Sequence, residues 1–303
     1  MKYTNNFNLP ASIYDALTID SKPSSHKKDD MVVAVTTLIR PYRISILTNR
    51  HYHELEEDIS DGIWRIFGSA VHFFLEQAKH ADRLIEKKLD LTIDGVKILG
   101  RYDLFETKEK LLFDYKVTSV WSVIFDSDNT DYENQMNVYA YLSRKKGIPV
   151  EGLRAIQILR DWRSGEARKD PGYPQIPIVV KPIPLWPEAK AKSYLEERVT
   201  GWKKNLTLKD DELPLCTSEE RWATKNTYAV YKGENKRAMK VLTDMQEAEA
   251  FVEAMTNQYP DFKLTIQTRE GKDKRCTDYC SVNKFCSYYQ AQLKEVEANG
   301  IQG

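Results

Sequence analysis

No stretch of this sequence approaches the roughly 20 consecutive apolar residues that a membrane-spanning helix needs, so no membrane partner is expected. The opening residues, MKYTNNFNLPASIYDALTID, lack the basic patch and apolar core of a secretory signal, and the expected location is cytoplasmic. Net charge is missing too: 45 basic residues face 45 acidic ones. A basic balance would point directly to polyanions. A neutral one excludes nothing, because cations can cluster at one site while acids lie elsewhere. Cysteine is scarce, at four residues, and three of them crowd between positions 276 and 286. In a reducing compartment such crowding signals metal ligation more often than disulfide bonding. Internal repeats are absent.

What is present falls into three stretches. Residues 1–30 form an N-terminal segment whose end, SKPSSHKKDD, carries no apolar pattern and reads as a weakly ordered linker. Residues 31–210 form the main part, and 211–303 a smaller cysteine-bearing part with a C-terminal tail. In the main part, MVVAVTTLI is β-branched, and Thr36 or Thr37 is placed to cap a helix starting near Leu38. Ile63, Ile66, Phe67, Ala70, Val71, Phe74 and Leu75 recur at helical spacing and predict one broad apolar face. VKILGRYDLFE (96–106) and LLFDYKVT (111–118) predict two strands around the polar turn TKEK. A helix over 131–146 ends at Gly147 and Pro149, a buried strand covers 153–162, and proline-rich extended chain runs to 187. PEAKAKSYLEERVTGWKKNL is a helix with proline near its first turn. Beyond Cys216 the pattern predicts two strands, a helix near 244–257 and a further strand.

The two central strands carry charge where they leave the core. Residues two apart share a strand face, so Asp114 and Lys116 point the same way. If Lys108 and Glu109 sit at the tip of the turn, paired residues have numbers summing to 217, and Asp103 faces Asp114. Opposed residues have Cβ atoms about 4.5–5.5 Å apart. Two carboxylates that close repel unless a cation or a shared proton lies between them. On the preceding helix Gly68, His72 and Glu76 are spaced by four and share a face. Glycine in a helix interior costs roughly 1 kcal/mol against alanine and is kept where a ligand or backbone must come close. A histidine-bearing helix beside such a hairpin could complete a cation site.

Taken in order, Gly68 and His72, Gly100 and Asp103, Asp114 and Lys116, and Gln135 and Tyr139 resemble the motif series of the RecB-like branch of the PD-(D/E)xK nucleases. The resemblance covers 31–160 and leaves 161–215 unexplained. It implies an α/β, restriction-endonuclease-like core with a mixed central sheet flanked by helices, plus a small cysteine-closed α+β subdomain. It implies that His72, Asp103, Asp114 and the Tyr115 carbonyl hold Mg²⁺ or Mn²⁺, that Lys116 orients or helps deprotonate the attacking water, and that Gln135 and Tyr139 contact DNA. The implied activity is divalent-metal-dependent hydrolysis of DNA, as an exonuclease on ends or single strands, in recombination, repair or replication. The sequence is similar to phage and prophage members, so the cytoplasm would be that of a bacterial host or a phage-infected cell. No helicase motif occurs, so a helicase or recombinase partner would be another chain. The alternative is a catalytically idle DNA-binding or assembly module with a structural metal cluster.

Cys276, Cys280 and Cys286 resemble the C-terminal trio of iron–sulfur members of that branch, in which a distant fourth cysteine completes a [4Fe-4S] cluster. Only Cys216 is left for that role, and it follows the core where the relatives' lone cysteine precedes it. Zinc is the rival, since Cys276 and Cys280 have zinc-type spacing, and free or redox thiols are the third option. Arg40, Arg43, Arg50, Lys274 and Arg275 are candidates for phosphate contacts. The cations of Arg144–Lys146 and Lys203–Lys204 suit helix C-termini without any ligand.

Overall fold

Apolar residues alternating along 83–118 and 152–183 build a six-stranded sheet in the first of two units, Met1–Leu213 and Pro214–Gly303. The computed structural model describes residues 1–19, 29–125, 129–256, 258–261 and 263–298, and most of the linker expected in 21–30 lies outside them. In chain order the first unit runs β1 (Lys2–Thr4), α1 (Ala11–Ile19), β2 (Val32–Ala34), α2 (Val35–Leu38), α3 (Tyr42–Arg50), β3 (Glu56–Asp58) and α4 (Ile63–Glu76). It continues with β4 (Arg83–Ile93), β5 (Val96–Glu106), β6 (Leu111–Thr118), α5 (Val120–Ile124), α6 (Asn129–Lys145), β7 (Gly152–Leu159), α7 (Ser164–Lys169), β8 (Ile178–Ile183) and α8 (Glu188–Leu206).

The sheet is mixed: β2 with β5 and β6 with β7 are parallel, the remaining pairs antiparallel. Helices flank it. α6 buries Met136 and Val138 to Leu142, and β7 buries Leu153, Ala155, Gln157 and Leu159 on alternate positions. α8 buries Leu195, Val199 and Trp202, and its Arg198 guanidinium caps the end of α2 by donating to the Leu38 carbonyl. Asn137, 1% exposed, ties α6 to the approach to α8: its amide donates to Pro184, and its carbonyl accepts from the Trp186 backbone.

Several expectations change. The helix placed near Leu38 starts at Val35, straight out of β2, with Ala34 at its N-cap and no threonine cap; the longer α3 starts after Pro41. The apolar face expected on α4 is not covered: no residue of this helix is buried, and Ile63, Phe67 and Phe74 are 46%, 43% and 73% exposed. Ile66, Gly68, Val71, His72, Leu75 and Glu76 are half-buried, and the rest of the helix is exposed. Arg43 and Arg50 are spent inside the unit, Arg43 on the Leu213 carbonyl and Arg50 on Asp210 and the Leu206 and Leu208 carbonyls.

The second unit holds β9 (Thr227–Lys232), β10 (Lys240–Leu242), α9 (Met245–Thr256), β11 (Leu264–Arg269) and α10 (Ser287–Ala298). Its antiparallel sheet has the order β10-β9-β11, and α9 packs on it through buried Ala248. The stretch expected as a tail is helical from Ser287. Arg275 donates to the Glu220 carbonyl and lies over Trp222, which leaves it little freedom for phosphate. Among the described residues no helix is long and apolar enough to cross a membrane.

Candidate active site

The site forms where one sheet edge opens. β5 pairs with β4 from Val96 to Tyr102 and from Leu104 to Glu106, missing only Asp103. Its other edge pairs with β2 at Lys97 to Leu99 and with β6 at Leu104 to Glu106. That β6 ladder runs in the register summing to 217, and it stops one pair short of Asp103 and Asp114. The backbone from Gly100 to Asp103 therefore has no strand partner on this edge. Side chains fill the opening. A Cβ on Gly100 would stand 3.1 Å from the Tyr139 ring, so glycine is what admits that ring. The Tyr115 amide donates to Asp103 Oδ2 at 2.7 Å, in place of a ladder bond.

Six motif residues converge here. His72 Nδ1 lies 3.6 Å from Asp103 Oδ1, and Lys116 Nζ lies 2.7 Å from Asp114 Oδ2. Gln135 donates to Asp114 Oδ1 at 3.1 Å and accepts from Lys116 Nζ at 3.5 Å. The Tyr139 ring is 5% exposed, with its hydroxyl 3.4 Å from the Gln135 amide nitrogen. A ring so enclosed leaves little face for a base, and Tyr139, expected to contact DNA, braces Gln135. Gln135 in turn holds the Asp114–Lys116 pair.

The electrostatics follow from burial. Desolvation and the neighbouring Asp114 charge push the Asp103 carboxyl up to about 7, against the Tyr115 amide and Lys116. Desolvation lowers the His72 imidazole, outweighing Asp114 and a backbone hydrogen bond with Tyr115, so the ring is neutral and able to ligate. Burial pulls Lys116 down, but Asp114 more than compensates, and the ammonium stays charged.

One residue outside the motif series joins them. His72, Glu86 and Asp103 bring ligand atoms within 4.8 Å of one another. Glu86 stands on β4 opposite Asp103, in a register where paired numbers sum to 189, and its φ is +51°. A non-glycine residue in that region is strained, and such strain gathers at functional sites. Arg101 lies 2.7 Å from Glu86 Oε2, yet that oxygen and Asp114 Oδ2 are both buried without a hydrogen bond of ordinary geometry. Buried carboxylate oxygens with spare lone pairs, next to a neutral imidazole, suit a hard divalent cation.

No family model matches the chain, and no curated protein matches it in sequence. Among solved structures, SSO0001 is 18% identical over 62% of this chain and 83% of its own, with a TM-score of 0.42. A phage-related exonuclease from Haemophilus somnus 129PT is 11% identical over 64% of this chain and 78% of its own, with a TM-score of 0.29.

In the second unit the four cysteines are unbridged. Burial, with Glu220 and the other three thiols, pushes Cys216 up to about 12. Burial, Asp273, Cys280 and Cys286 push Cys276 up to about 11. The four thiols are thus electrostatic neighbours, but no three of the sulfurs lie within 4.8 Å of one another among the described residues.

Proposed function

We propose that the chain is a divalent-metal-dependent deoxyribonuclease with a RecB-like PD-(D/E)xK centre on a restriction-endonuclease-like core, hydrolysing DNA phosphodiesters at ends or in single strands. The observation that carries this reading is the convergence of Asp103, Asp114, Lys116 and His72 at the open edge of β5. His72, Glu86 and Asp103, with Asp114 beside them, are the residues that would hold Mg²⁺ or Mn²⁺, and the Tyr115 carbonyl is a further donor. Such a cation supplies Lewis-acid charge and lowers the pKa of its water. Lys116, fixed between Asp114 and Gln135, is placed to orient the attacking water and to offset charge developing on the phosphate. Gln135, half-buried beside Asp114 and Lys116, is the DNA contact of the pair, and buried Tyr139 braces it from behind. The biological setting is recombination, repair or replication, of phage type, with unwinding or strand exchange left to a helicase or recombinase on another chain.

The second unit carries a structural cluster in the same reading. The sequence spacing of Cys276, Cys280 and Cys286, with Cys216 as fourth ligand, supports [4Fe-4S], and zinc is the alternative. Iron analysis and visible absorption of anaerobically purified protein test this, and zinc with no visible band overturns it.

The activity test uses end-labelled single strands, linear duplex, end-blocked duplex and circles, with and without Mn²⁺. Cleavage that requires Mn²⁺ and disappears in Asp114→Asn is the expected outcome. Binding without cleavage would return the idle-module reading, and neither binding nor cleavage would end the connection to DNA.

A further inference from the structure

Two helices that border the centre keep aromatic rings in solvent. On α4, which carries His72, Trp64 is 57% exposed and meets Phe67 edge to face at 6.4 Å. On α5, Trp121 and Phe125 are 54% and 71% exposed and stack at 5.7 Å with 18° between their planes. α5 starts two residues after β6, the strand that delivers Asp114 and Lys116. Arg160 joins the two places. Its guanidinium lies 4.7 Å from the centroid of the Trp64 ring, and its backbone amide donates to Thr118 at the end of β6. Exposed aromatic rings gathered in this way point to a surface with a partner.

The surroundings specify that partner. The rings are interleaved with a guanidinium, and a strand rise of about 3.3 Å per residue puts Thr118 roughly 13 Å beyond Asp114. A partner reaching from the rings to the carboxylates therefore needs flat apolar faces and negative charge in alternation. An unpaired nucleic-acid strand offers both, because every base has an open π-face and every linkage a phosphate. A duplex keeps its base faces inside its own stack.

We propose that Trp64 and Trp121, with Arg160 against Trp64, form a stacking platform for unpaired nucleotides of a DNA strand that continues to the centre around Asp114 and Lys116. This deepens the nuclease reading and rests on it for the direction in which the strand runs. It makes single-stranded DNA the preferred substrate class and gives the exposed face of α4 a use.

The test is binding by the full chain bearing Asp114→Asn, which leaves DNA intact. Fluorescence anisotropy compares labelled oligo(dT) with a blunt hairpin duplex. Oligo(dT) should bind more tightly. Trp64→Ala and Trp121→Ala should each weaken its binding about fivefold to a hundredfold, the range for losing one stacked base. Trp64→Phe should restore most of the loss, and thermal unfolding and duplex binding should stay close to those of the parent. Unchanged oligo(dT) affinity in both alanine variants overturns the platform. So does a preference for duplex, or a dimer that Trp121→Ala converts to monomer, since the rings would then cover a second copy. Cleavage by the chain with Asp114 intact is scored separately. Tryptophan-dependent strand binding without cleavage sinks the nuclease reading and keeps the platform, and cleavage with tryptophan-independent binding does the reverse.

Discussion

Replacing Gly68 by alanine should stabilise the protein and impair it at once. Gly68 lies inside α4, one turn before His72 and on the same face. Apart from its chain neighbours and its own helix backbone, no atom comes within 4 Å of the position its Cβ would take, so packing does not require glycine there. Alanine is favoured over glycine in a helix interior by about 1 kcal/mol. With no collision to oppose it, that gain should appear in full and raise the unfolding temperature by about 2–4 °C for a unit of this size. The same methyl enters a groove of about 620 Å³ whose lining includes Arg65, Gly68, His72 and Arg101. If a DNA backbone lies in that groove, a displacement of about 1 Å at the reacting phosphate can cost on the order of a hundredfold in rate. Calorimetry and initial cleavage rates with Mn²⁺ should therefore move in opposite senses. A lower melting temperature would refute the claim that the space is open. A higher one with undiminished cleavage would show that DNA does not use the groove.

Lys116→Met removes the ammonium 2.7 Å from buried Asp114. Losing one partner of a buried pair costs about 3–5 kcal/mol, and the lower end applies because Lys116 keeps 25% of its side-chain surface exposed. Chemical denaturation should show that loss, with Mn²⁺ recovering part of it, and no loss would mean that Lys116 does not offset Asp114. Glu86→Gln keeps the size of the side chain and removes its charge. Mn²⁺ affinity by titration calorimetry should fall at least about tenfold, a ligand mattering no less than the outer-shell partners of a metal site, and unchanged affinity would take Glu86 out of the site. Stability should also fall with alkaline pH through His51. A hydrogen bond to Asp210 raises its pKa above 6.5, helped by Glu54 and opposed by burial. A raised folded pKa means stability fully present below the unfolded value near 6.5 and lost as pH rises through the folded one. Melting temperatures measured upward from pH 6 should fall through that window in the parent and less in His51→Gln. A parallel course in both would remove His51 as the cause.

The site was legible where local rules fix geometry. Alternation put Asp114 and Lys116 on one face, and a turn centred on Lys108 and Glu109 set the register that β5 and β6 adopt. Glu86 was hidden because Glu86, Lys87, Lys88 and Asp90 break the apolar pattern of β4. A signal for it exists all the same. Asp94 and Gly95 have φ of +45° and +80°, as a two-residue hairpin turn requires, and Asp-Gly between Ile93 and Val96 fixes a register that sets Glu86 opposite Asp103. The environment of Tyr139 was not legible, since burial depends on Gly100 across the sheet. Nor was the exposure of α4, because periodicity reports an apolar face without saying what covers it.

The opening in the edge of β5 explains why like charges can be held together here. Asp103 and Asp114 repel, and a flexible pair would swing apart into water. Their strands cannot follow, since β4 grips β5 through ten paired residues and β7 grips β6 through eight. The ladder between β5 and β6 gives way instead, at the pair where the carboxylates would meet. The freed Tyr115 amide then satisfies Asp103, and Lys116 and Gln135 satisfy Asp114. What remains is an excess of carboxylates, since Asp103, Asp114 and Glu86 share the two cations Lys116 and Arg101, next to an imidazole kept neutral by burial. Residual negative charge held by rigid strands beside a neutral ligand favours a cation without demanding that the fold move to receive it.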